Sequence, residues 1–92
     1  MKIVPIRKTG DSRTGTLTTS YHDIVSKLGE PNVTDMDDED KVKASWGFKD
    51  EETDREGFIW AYKYYGNLHG CRSWSADGDA SLLKELFEGD YA

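Results

Sequence analysis

Ninety-two residues provide for one domain of about the usual minimum working size and exclude a multidomain enzyme. Eighteen acidic against twelve basic residues give a net charge of -6, which disfavours ordinary binding to a phosphate backbone. One cysteine, Cys71, cannot close an internal disulfide and fits a reducing cytosol. The chain carries no run of about 18 apolar residues, and Met1 to Pro5 is too short and too polar-flanked for a signal peptide, so a soluble, unexported protein is expected.

The expected organisation is a single domain over 1–92, in which 1–19 form an N-terminal strand and a partly mobile loop. Lys2-Ile3-Val4-Pro5-Ile6 reads as a short strand that Pro5 confines to a sheet edge. Residues 7–18, rich in Thr, Gly and charge, read as loop. Tyr21, Ile24, Val25 and Leu28 then share one helical face, Ser20 with Asp23 supplies a capping-box-like start, and Gly29 followed by Pro31 supplies the stop.

After a polar, acidic loop over 32–40, Lys41 to Lys49 alternates. Val42, Ala44, Trp46 and Phe48 lie on one side and Lys41, Lys43, Ser45 and Lys49 on the other, the period of a half-buried strand. Asp50 to Gly57 reads as the connecting turn. Phe58 to Tyr65 is aromatic on both faces, as in a central strand covered by a helix on one side. Cys71 to Ser75 completes a third strand of this group, and Leu82, Leu83, Leu86 and Phe87 stripe a final helix capped by Asp77 or Asp79. The predicted class is α+β, order β-α-β-β-β-α, a mostly antiparallel sheet with the helices on one face.

Charge is concentrated. Between Asp35 and Glu56 lie ten acids and four bases, so this segment alone accounts for the net charge. Asp35, Asp37, Asp38, Glu39, Asp40, Asp50, Glu51, Glu52 and Asp54 are the candidate partner-binding carboxylates, suited to a host protein with a basic surface. The plainer alternative is a solvated band that keeps an aromatic-rich protein dispersed. A second candidate set, Trp60, Tyr62, Lys63, Arg72 and Trp74, combines aromatics and bases as interface anchors do, whereas Trp46 is assigned to the core. Tyr62, Lys63, Arg72 and Trp74 on an open sheet face suit a nucleotide, with Lys63 and Arg72 on its phosphates. Two-faced aromatic strands also suit a homodimer.

Several motifs fail on inspection. Asp35-x-Asp37-x-Glu39 opens like a calcium loop but places Asp40 where glycine is required and Trp46 where glutamate is required. His69-Gly70-Cys71 lacks the further ligands of a zinc site. Lys8-Thr9-Gly10 and Ser81-Leu82-Leu83-Lys84 match the letters of two β-lactamase motifs in the wrong order and without the third. No catalytic residues, metal or cofactor are expected.

Four segments carry a resemblance: Ser20-Tyr21 to Leu28-Gly29-Glu30-Pro31, Asp40-Lys41-Val42-Lys43-Ala44-Ser45-Trp46, Ile59 to Tyr62-Lys63, and Trp74 to Gly78-Asp79 before a terminal helix. Over residues 15–88 the chain resembles a family of small tailed-bacteriophage proteins, with the Gly-Glu-Pro stop and the Lys-Val-x-Ala-x-Trp strand as the most specific parts. The resemblance implies phage origin, a host-cytoplasm setting and no catalytic residues. Together with the acidic band it leads to an expected role in blocking a host defence system such as CRISPR-Cas. The alternatives are a sponge for a nucleotide immune signal and a self-associating phage protein.

Overall fold

The computed structural model describes residues 1–7, 13–32, 42–62 and 66–92, those of Val42, Lys43 and Tyr62 as backbone only. Two helices, α1 (Tyr21–Leu28) and α2 (Ala80–Phe87), pack on a five-stranded antiparallel sheet ordered β1-β3-β4-β5-β2. The strands are β1 (Ile3–Pro5), β2 (Gly15–Thr18), β3 (Val42–Asp50), β4 (Arg55–Tyr62) and β5 (Ser73–Gly78). The α+β class and the order β-α-β-β-β-α are found, with β2 as one further strand inside the segment read as loop.

Period-two alternation decides what each strand buries. The registers Trp46↔Ile59, Ile59↔Ala76 and Leu17↔Trp74 align these residues on one face. There they join Ala44, Phe48 and Ala61, together with Ile24, Leu82, Leu83 and Phe87 of the helices, in one hydrophobic cluster. Gly57 and Gly78 sit opposite each other across β4 and β5. The Phe48 ring fills the space over Gly57, where an added Cβ would come within 2.5 Å of it. On the reverse face β4 presents Phe58 and Trp60, with Ser45 and Ser75 flanking Trp60 in register.

α1 starts and stops where its caps dictate. Ser20 Oγ accepts the Asp23 N–H at 3.1 Å, and Gly29, at φ 84°, donates its N–H to the Val25 carbonyl at 2.8 Å. Of the two candidate caps for α2, Asp79 is the one in place, accepting from Ser81 N–H and Leu82 N–H. Both sheet edges are blunted. Pro5 lacks an N–H on β1, while Thr16 of β2 exchanges hydrogen bonds with Ala92 at 2.8 and 2.9 Å.

Candidate docking surface

Among the described residues, exposed carboxylates gather at the turn of the β3–β4 hairpin. Its connection is Glu51–Asp54, shorter than the Asp50 to Gly57 turn expected, because Asp50 still pairs with Arg55 and Phe48 with Gly57. Asp54 N–H closes the turn on the Asp50 carbonyl at 2.7 Å, with Asp54 itself in the left-handed region at φ 63°. Aspartate tolerates that region better than most residues.

The Asp50 carboxylate organises this end. Its Oδ1 accepts the Lys2 N–H at 3.0 Å and the Glu52 N–H at 3.1 Å, and its Oδ2 accepts the Thr53 hydroxyl at 2.9 Å and the Arg55 guanidinium at 3.2 Å. These donors, the Lys2 N–H foremost, outweigh the cost of burial and lower the Asp50 pKa to about 2. Asp50 is 1% exposed, so its assignment to the partner-binding set is corrected: its oxygens are spent on the fold. Arg55 passes the connection on to α2, donating to Glu85 at 2.7 Å and to the Ser81 hydroxyl at 3.0 Å.

The neighbouring carboxylates do face solvent. The Glu51, Glu52 and Asp54 side chains are 48%, 59% and 80% exposed. Each has a base in reach: Lys2 Nζ at 3.5 Å from Glu51, the N-terminal ammonium at 2.6 Å from Glu52, and Lys49 Nζ at 2.6 Å from Asp54. The Glu52 and Asp54 contacts raise the pKa of the N-terminal ammonium and of Lys49 respectively. Such solvent-screened pairs contribute little to stability and exchange partners readily. Glu85, on α2, extends this acidic tip through Arg55, a member that a search confined to Asp35 to Glu56 does not reach. Asp35, Asp37, Asp38, Glu39 and Asp40 lie outside the described residues.

The aromatic set separates. Trp74, predicted to be a surface anchor, is 1% exposed and is corrected to the core beside Trp46. The two indoles meet edge to face at 5.5 Å, and Tyr21 packs on both at centroid distances of 5.9 and 6.3 Å. Each indole N–H finds a carbonyl at one end of α1, Trp74 at Thr19 and Trp46 at Gly29, both at 2.9 Å. Burial is tolerated because those donors are satisfied. Trp60 is half-buried on the reverse face, five residues along β4 from Arg55 and thus about 17 Å from the acidic tip.

Arg72 is exposed just before β5 and lines a shallow cleft of about 580 Å³ with Thr18 to Ser20, Asp23, Lys27 and the Phe87 to Asp90 turn. That cleft lies on the helix side and Trp74 is buried, so Arg72 and Trp74 do not share the open sheet face that the nucleotide reading placed them on. Lys63 and the Tyr62 side chain lie outside the described residues. Among the described residues no three His, Cys, Asp or Glu side chains gather to hold a metal ion, and no helix is long and apolar enough to cross a membrane.

The surface that remains is an acidic tip without an adjoining tryptophan. No family model, curated protein or solved structure matches the chain.

Proposed function

We propose that this protein is a non-enzymatic bacteriophage accessory protein that acts in the host cytoplasm by stoichiometric binding. Its acidic surface occupies a basic, nucleic-acid-binding groove of a host defence complex such as a CRISPR-Cas effector. The observation that supports this reading is the hairpin tip, where Glu51, Glu52 and Asp54 stand exposed on a turn held by the buried Asp50. A firmly held turn presents its charges with little further loss of conformational entropy on binding. The net charge of -6 adds a long-range field that attracts a cationic surface to the protein.

The test is affinity for a purified CRISPR-Cas effector as a function of salt. Charge reversal at Glu51, Glu52 and Asp54, and separately at Asp37, Asp38 and Asp40, is expected to weaken binding at least tenfold and to flatten its salt dependence. Capture from host lysate at low and high salt identifies other basic targets. If affinity and salt slope survive both sets of reversals, the acidic band serves to keep the protein dispersed and the proposal fails.

A further inference from the structure

β2 is the sheet edge opposite β1, and its outer side carries a seat that the chain itself fills. Thr16 N–H donates to the Ala92 carbonyl at 2.8 Å and accepts the Ala92 N–H on its own carbonyl at 2.9 Å, while Leu17 pairs antiparallel with Tyr91. Tyr91 is half-buried and packs against the hydrophobic cluster. Its ring lies over Gly15, where an added Cβ would come within 2.8 Å of the ring and of the Ala92 carbonyl oxygen. The seat thus joins a backbone edge that accepts an extended segment to a slot that selects one side chain, the two requirements of strand addition.

The seat does not depend on its occupant. β2 is paired with β5 from Gly15↔Ala76 to Thr18↔Ser73, and Thr14 N–H to the Ala76 carbonyl and Thr19 N–H to the Arg72 carbonyl, both at 3.0 Å, extend that pairing at each end. The occupant reaches the seat through the exposed turn Glu88–Asp90, which leaves α2 with Glu88 at φ 49° and ψ −123°. That backbone conformation is unfavourable for a residue with a side chain, and a segment arriving from another molecule does not incur it. Asp90, just before Tyr91, lines the cleft at Thr18 to Ser20; without Glu88 to Asp90 the charges lining it are Arg72 and Lys27 against Asp23, a positive balance that favours a carboxylate in this position.

We propose that the β2 edge is a strand-addition site for a partner protein. Its ligand is an extended segment antiparallel to β2, with an aromatic side chain over Gly15 and an acidic residue just before it. Tyr91 and Ala92 occupy this site in cis and show the register it accepts. The site is separate from the hairpin tip and does not rest on it.

The probe is a peptide of residues 86–92, titrated to millimolar concentration against the full chain and followed by NMR at the Thr16, Leu17 and Thr18 amides. Tyr91→Ala combined with Ala92→Pro empties the slot and removes the N–H that Thr16 accepts, and is expected to tighten the peptide about fivefold or more, because the tethered competitor is gone. Glu88→Gly relieves the turn, seats the arm more firmly and is expected to weaken the peptide about twofold or more. Gly15→Ala, added to the emptied variant, is expected to abolish binding, as is replacing the tyrosine of the peptide by alanine. Unchanged protection of the Ile59 amide shows that each variant is folded. Equal binding to the wild type and the emptied variant, binding that survives Gly15→Ala, or no binding by any form would overturn the proposal. Self-association of the emptied variant through these amides would overturn it too, by assigning the edge to a second copy of the chain.

Discussion

Replacing Trp74 by Phe isolates the device that joins α1 to the sheet. The ring sits 1% exposed between Trp46 and Tyr21, and its N–H is the donor to the Thr19 carbonyl ahead of the helix. Phenylalanine keeps one aromatic ring but loses that donor, which costs about 1 kcal/mol. The volume left behind, on the order of 40 Å³, adds about 1 kcal/mol at the usual cavity coefficient. Apolar surface no longer buried adds about another 1 kcal/mol.

A loss of about 3 kcal/mol corresponds to a melting point lower by roughly 12–24 °C in a domain of this size. Urea titration should show it as a lower midpoint at unchanged slope, and the near-ultraviolet circular dichroism of the edge-to-face Trp46–Trp74 pair should collapse. Trp60→Phe, on the reverse face, should cost less than about 1 kcal/mol. Since the two buried indoles touch, Trp46→Phe and Trp74→Phe combined should depart from additivity. Equal losses for Trp74→Phe and Trp60→Phe would refute the division between the helix-covered face and its reverse.

Acid should weaken the protein through Asp50: its native pKa of about 2 lies below the ordinary 3.8, so the unfolded chain takes up the proton first. Stability is therefore present above the ordinary value and falls as pH drops from about 5 toward 2; urea midpoints at pH 7, 4 and 3 should decline, and Asp50→Asn, already weaker at pH 7, should show a flatter curve. Gly78→Ala should cost at least about 3 kcal/mol, because its φ is +100° and an added Cβ would lie 2.5 Å from the Glu56 carbonyl oxygen. Gly89→Ala, with nothing within 4 Å of the added carbon, should melt within a few degrees of the wild type. Asp54→Gly suits φ 63° and should change stability by less than about 1 kcal/mol while weakening the proposed partner at least twofold, measured by calorimetry.

Local chemistry made parts of the fold legible. Ser20, Gly29 and Pro31 announce α1 because capping and chain reversal depend on neighbours within a few residues, and the alternation from Val42 to Phe48 announces the buried side of β3. β2 escaped because it is four residues long inside a Gly- and charge-rich segment and Leu17 is its single buried side chain, too little for alternation to show. What makes it a strand is β5 on one side and Tyr91–Ala92 on the other, contacts more than fifty residues away. β4 begins at Arg55, ahead of the aromatic run, because Asp50 and Thr53 fix Arg55 in register.

The same distinction separates the carboxylates. Asp50 and Glu51 are adjacent acids in one cluster, and composition assigns them the same role. Asp50 follows the inward register of Ala44, Trp46 and Phe48, so period-two alternation alone already directs it toward the core, where an ionised group persists only with donors around it. Those donors come from β1, from the turn and from Arg55, and no spacing rule brings Lys2 to residue 50. Once Asp50 is fixed in this way, the acids that follow are turned outward into solvent, each beside a base. The acid that folds the hairpin and the acids proposed to dock from it are consecutive because the first determines where the others point.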